Sequence, residues 1–139
     1  VAINQNLLDF VGLDMITGRT LMVEVKSSKD DQITVGNKDN GIKADQVKLI
    51  RDWDEVGAVV WILWKARDTW FRIPPCLIPQ AVDRRGPLRA RDCQDLNLEI
   101  PIREELDLVD FLSGTEIDGF DDLVLPEYRT PKQLAEEAA

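Results

Sequence analysis

Histidine does not occur in this 139-residue chain. Its absence excludes Ser-His-Asp and Cys-His catalysis, histidine-ligated zinc, and nucleases whose general base is an imidazole. Cysteine is nearly absent too: Cys76 and Cys93 are too few and too isolated for a disulfide framework or a zinc site. A reducing cytoplasm is therefore the expected compartment, or a host cytoplasm for a phage-encoded chain. No apolar run approaches the roughly 20 residues that span a bilayer. The opening VAINQN lacks the charged and apolar regions of a signal peptide, and it lacks a methionine, so an upstream segment is expected. Hydrolytic chemistry in such a chain has to come from carboxylates, lysine and a hard metal ion.

What is present suits one globular domain. Apolar residues make up 44% and charged residues 31%, and the length is enough to bury a core. The net charge of -9 at first argues against a polyanionic partner, but the charge is unevenly spread. Residues 1–92 hold 14 Lys and Arg against 13 Asp and Glu, a net of +1. Residues 93–139 hold 3 against 13, a net of -10. The first two thirds are thus free to present a basic face beside an acidic pocket.

Hydrophobic patterning predicts a strand from Leu7 to about Ile16, a turn at TGR and a second strand over Leu21–Lys26. A long polar loop follows from Ser27 to Asn40, with a short strand at Gln32–Val35. GIKADQVKLIRDWDEVG reads as a helix ended near Gly57. AVVWILW (58–64) has the continuous apolar pattern of a strand buried on both faces. TWFRI (69–73) alternates and pairs with it across a turn, and Pro74-Pro75 ends it. DRRGPLRARD (83–92) reads as a basic loop, LVDFL as helical, and PKQLAEEAA as a final helix or a frayed end. The order strand, strand, helix, strand, strand predicts an α/β domain with a mixed sheet.

The acids of the first two strands separate by geometry. Glu24 and Lys26 are two apart and share a face, while Val23 and Val25 point to the other, into a core. A turn centred between Ile16 and Thr17 sets Asp9 opposite Glu24, and a shift of one residue sets it opposite Lys26. Asp14 lies next to the turn, roughly 16 Å from Asp9 along the strand, and reads as a solvated bystander. Asp9 and Glu24 repel unless a cation neutralises them. Two carboxylates and a backbone carbonyl suit Mg²⁺ or Mn²⁺. Such an ion lowers the pKa of a coordinated water and offsets charge on phosphoryl oxygens, and Lys26 would assist. On the helix, Gln46 falls within the apolar stripe of Ile42, Leu49, Ile50, Trp53 and Val56. It is either a buried amide bonded to backbone or a group reaching towards a phosphate or the attacking water.

LLDFVGL, GRTLMVEVKSS and IKADQVKLIRDWDEVGAVVWILW together resemble the PD-(D/E)xK nuclease superfamily, closest in pattern to RecU-like and archaeal Holliday junction resolvases. The resemblance covers residues 7 to 73. It implies a restriction-endonuclease-like mixed β-sheet flanked by helices, over residues 1–92, with 93–139 as an irregular acidic C-terminal extension packed on the core or binding a protein partner. It implies Asp9, Glu24 and the backbone of Val25 as metal ligands, Lys26 as the catalytic lysine and Gln46 as the glutamine of the fourth motif. It further implies Mg²⁺ or Mn²⁺, homodimers, and a DNA endonuclease acting on branched or duplex DNA in recombination or repair. Two departures stand out: the glutamate-bearing N-terminal helix of many members would precede Val1, and the acidic third has no counterpart.

Lys29, Lys38, Arg84, Arg85, Arg89 and Arg91 are candidate phosphate contacts. Trp53, Trp61, Trp64 and Trp70 read as core residues rather than base-stacking platforms. The alternative function is a catalytically inactive module of the same fold that binds DNA or protein. The intact acid–acid–lysine set favours the enzyme, because a retired site has no need of repelling acids. The acidic tail favours the module.

Overall fold

The longest apolar run of the sequence becomes the middle of the sheet. In the computed structural model, which describes residues 8–13, 15, 18–101 and 122–138, the chain runs through β1 (Phe10–Leu13), β2 (Thr20–Ser28), β3 (Gln32–Ile33), β4 (Val35–Asn37), β5 (Ile42–Lys43), α1 (Ala44–Glu55), β6 (Val59–Ala66), β7 (Thr69–Ile73), α2 (Leu77–Asp83), β8 (Leu88–Arg89), α3 (Ala90–Asp95), β9 (Glu99–Ile100) and α4 (Pro131–Ala138). The main sheet has the order β1-β2-β6-β7-β9. β2 and β6 are parallel and the other neighbours antiparallel. Parallel neighbours need a crossover, and α1 supplies it. The α/β class with a mixed sheet is thus observed. Among the described residues no helix is long and apolar enough to cross a membrane.

β6 is buried along its whole length except for half-buried Lys65, as a central strand covered on both faces should be. On one face Met22, Ile62, Trp64, Phe71 and Ile73 pack with helix residues such as Ile50, Leu77 and Ile78 to form the main core. On the other, Val23, Leu63 and Ile100 form a smaller cluster. Trp61 and Trp64 are almost wholly buried, and Trp53 and Trp70 half-buried, as expected of core residues.

Local signals set the helix ends. α1 stops in a Schellman motif: Gly57 adopts φ +91°, its N–H donates to the Asp54 carbonyl (3.1 Å), and the Ala58 N–H donates to that of Trp53 (3.1 Å). The final helix, α4, is opened by a Thr130–Gln133 capping box, with mutual bonds of 2.8 and 3.2 Å, and by Pro131 at its first position. At the start of α1, Gly41 has φ +65°, and a Cβ there would lie 2.2 Å from the Thr34 carbonyl oxygen. Only glycine fits this turn, which aims α1 at the sheet.

Three expectations differ from the structure. The first strand is short, Phe10–Leu13, because the chain bends at Asp9. The stretch 27–40 carries the end of β2 and two strands split at Thr34: β3 pairs with β8, and β4 with β5. The stretch 83–92 is not a loop, since α2 runs to Asp83, β8 occupies Leu88–Arg89 and α3 begins at Ala90. The change of charge at residue 92 falls inside α3, and the residues after it add β9 to the sheet. Farther on, Gln80 clamps the backbone of 123–125, donating to the Leu123 carbonyl (2.9 Å) and accepting from the Leu125 N–H (2.8 Å). The readings of Asp14 and of LVDFL lie outside the described residues.

Candidate active site

Glu24 is the most unusual residue of the sheet: a carboxylate only 2% exposed, at the middle of β2, on the face that carries the main core. Its burial is possible because each oxygen has a partner. Oε1 accepts a 2.8 Å bond from Gln46 Nε2 and lies 3.3 Å from Lys26 Nζ. Oε2 accepts the Asp9 N–H at 3.4 Å. The pleat brings Lys26 to the same face two residues on, with its side chain only 19% exposed.

The register settles where Asp9 stands. Phe10 pairs with Val23, so the next position outward sets Asp9 against Glu24 rather than Lys26. At that point the strand ends, and the side chain takes over the ladder: Asp9 Oδ2 accepts the Val25 N–H at 2.8 Å. The carboxylate thus does the work of a backbone carbonyl, which accounts for the bend at Asp9 and the shortness of β1.

Gln46 is bonded to backbone, as one of the two descriptions offered by the sequence expects, although its side chain is half-buried rather than buried. At the third position of α1 its Oε1 accepts the Lys43 backbone N–H (3.0 Å), capping the helix. Its Nε2 reaches Glu24. One amide therefore fixes the helix start and the orientation of the buried acid.

The electrostatics follow from this arrangement. Burial pushes the Glu24 carboxyl above its ordinary range, the Asp9 charge pushes it further, and Lys26 opposes both. Two carboxylates held together against their repulsion, flanking the main chain of Val25, form a hard-oxygen donor set. That chemistry fits Mg²⁺ or Mn²⁺, which accept few protein ligands and keep several waters. Among the described residues there is no group of three or more His, Cys, Asp or Glu placed to hold a metal, so the fit rests on this pair and the main chain.

The candidate phosphate contacts divide in two. Lys29, Lys38 and Arg85 are exposed, and so is Arg91. Arg84 and Arg89 are engaged within the protein. Arg84 Nη2 donates to Asp92 Oδ2 (2.6 Å) and to the Pro87 carbonyl (2.7 Å), and Nη1 donates to the Pro126 carbonyl (3.0 Å). Arg89 donates to the Arg129 carbonyl (2.6 Å) and stacks 4.4 Å over the Tyr128 ring.

Two contributors went unread in the sequence. Ser28 Oγ accepts the Trp64 indole N–H (2.9 Å) and donates to the Asp30 carbonyl (2.8 Å), pinning the end of β2 just beyond Lys26. No local pattern marks that contact, since Ser28 and Trp64 meet only through the sheet. Asp92, 7% exposed, is the second buried acid among the described residues. It does have a signal: an acid at the third position of a helix, reaching back to the Arg89 N–H (3.0 Å). No family model matches this chain, and the search of curated proteins finds no match to it either.

Proposed function

We propose that this chain is a metal-dependent DNA endonuclease of PD-(D/E)xK type, hydrolysing phosphodiester bonds in branched or duplex DNA in the manner of a Holliday junction resolvase. The observation that supports this reading best is the meeting of Asp9, Glu24, Lys26 and Gln46 at one point from three separate elements. A buried acid is costly to keep, and here it is kept beside a second acid that raises its pKa.

Asp9, Glu24 and the Val25 carbonyl would hold Mg²⁺ or Mn²⁺, which supplies Lewis-acid charge for the phosphoryl group and a more acidic water. Lys26 sets its ammonium beside Glu24, where it offsets charge that develops on a phosphoryl oxygen and orients the attacking water. Gln46 acts through Glu24, holding its carboxylate in one orientation. Exposed Lys29, Lys38 and Arg85 are the candidates for backbone phosphate contacts.

A second reading, a non-catalytic module of the same fold that binds DNA or a protein partner, draws on one observation. The charge of Glu24 is already offset by Lys26 and its carboxylate accepts the Gln46 amide, and Asp9 is bonded to Val25, so the cluster is satisfied without a further cation. Calorimetric titration with Mn²⁺, alongside cleavage of junction, flap, duplex and single-stranded DNA, separates the two. The enzyme reading expects metal uptake abolished by Glu24→Gln, and cleavage abolished by Lys26→Ala. Absence of both uptake and cleavage in the unaltered chain would overturn it in favour of the module.

A further inference from the structure

LVLPEYRT (123–130) has no regular secondary structure, so its backbone groups need partners outside any helix or sheet. Side chains of the body supply them. Gln80 holds Leu123 and Leu125, Arg84 Nη1 donates to the Pro126 carbonyl, and Arg89 Nη1 donates to the Arg129 carbonyl. Leu125 anchors this strap in the main core. The Tyr128 ring lies on Gly86, in the turn between α2 and β8, where a Cβ would stand 2.3 Å from the ring. The φ of Gly86 is outside the left-handed region, so the backbone there does not require glycine. The ring does, and the seat is built for it.

Charge says what the strap covers. Residues 84–91 hold Arg84, Arg85, Arg89 and Arg91 and no acid. Residues 122–138 hold Asp122, Glu127, Glu136 and Glu137 against Arg129 and Lys132, a net of -2. Glu127 and Glu137 line one open cleft together with Arg89 and Arg91. The two half-buried arginines differ in their ties. Arg84 is bonded within the body to Asp92 and the Pro87 carbonyl. Arg89 meets the strap twice, through a neutral carbonyl and through the face of Tyr128. A phosphate carries charge and accepts two guanidinium N–H groups at once, so it is the stronger partner for Arg89.

We propose that the strap is an internal cover over a nucleic-acid contact: docked, it occupies Arg89; displaced, it frees Arg89, beside exposed Arg91, to bind a DNA backbone phosphate. β8 brings Arg89 opposite Gln32, four residues after Ser28 ends β2. That is at most roughly 14 Å of chain, which sets the contact beyond the Lys26 end of the candidate site. The inference takes its DNA ligand from the proposed function and needs no cleavage. Metal-free binding keeps the two apart, since a failure of cleavage bears on the endonuclease reading alone.

Binding of a fluorescent DNA duplex to the full chain, without metal and over a series of salt concentrations, tests the cover. Tyr128→Ala removes the ring from the strap, and Gly86→Ala displaces it from the body side. Each should bind DNA roughly fivefold to tenfold tighter than the unaltered chain at about 50 mM salt. Each should also steepen the salt dependence by one phosphate contact, a slope change of about 0.9. Adding Arg89→Ala should cancel both changes. Gly86→Cys with Tyr128→Cys, in a Cys76→Ser background, gives the converse. A Cβ on Gly86 lies 2.4 Å from Tyr128 Cγ, so the two Cβ atoms stand at most about 3.9 Å apart, within reach of a disulfide. Oxidised, this chain should bind as weakly as the unaltered one; reduced, as tightly as Tyr128→Ala. Unchanged or weaker binding by Tyr128→Ala overturns the proposal. So do a gain that survives Arg89→Ala, equal binding by the oxidised and reduced chain, or no DNA binding by any of them.

Discussion

Replacing Gln46 by alanine removes two hydrogen bonds of different worth. The cap bond to the Lys43 N–H is exposed, and its loss costs about 1 kcal/mol. The bond to Glu24 is partly buried and has a carboxylate acceptor, which places it at about 1.5–3 kcal/mol. Alanine returns about 0.4 kcal/mol through its better helix propensity. The net expected loss is about 2–3.5 kcal/mol, a large share of the roughly 5–15 kcal/mol that holds a domain together. Urea unfolding followed by circular dichroism should show a lower midpoint at unchanged slope. A double-mutant cycle isolates the pair: in a Glu24→Gln background the acceptor is neutral, so the same change should cost about 1–2 kcal/mol less. Equal costs in the two backgrounds would refute the Glu24–Gln46 bond and its role in orienting the acid.

Three further outcomes are expected. Glu24 is held above its ordinary value of 4.5, so the folded chain keeps a proton that the unfolded chain has lost. That contribution to stability is full below pH 4.5 and is lost as pH rises through the raised value. Stability relative to Glu24→Gln should therefore fall from pH 4.5 towards neutrality, and a flat difference in unfolding free energy contradicts the burial argument. Gly41→Ala forces a side chain against the Thr34 carbonyl at positive φ; urea unfolding should show a loss of about 2 kcal/mol, and a loss below about 0.5 kcal/mol would mean the turn relaxes. Arg84→Ala strips the ion pair from Asp92, where both side chains are 10% exposed. The expected cost is about 3 kcal/mol, and Asp92→Asn in the same chain should recover part of it.

Much of this arrangement was legible in one dimension because it follows from periodicity. Alternation placed Glu24 with Lys26, the continuous run at 58–64 announced a strand covered on both faces, and Gly57 marked the end of α1. The chain hid what depends on contacts between distant segments. The polar and basic composition of 83–92 masked two short elements, because Arg84 and Arg89 turn inward to Asp92, Tyr128 and backbone carbonyls. An arginine's charge reads as solvent exposure in sequence, and only its partners show otherwise.

By itself, then, the sequence determined which residues share a face: the period of two in β2 and the turn between β1 and β2 leave few other placements for Glu24 and Lys26. The tertiary structure alone decided which of two registers holds, setting Asp9 against Glu24. It also decided that Gln46, which caps its own helix, reaches the buried acid as well. The physical reason is common to both. A hydrogen bond between segments far apart in sequence is selected by packing of the whole sheet against α1, and no local preference encodes it.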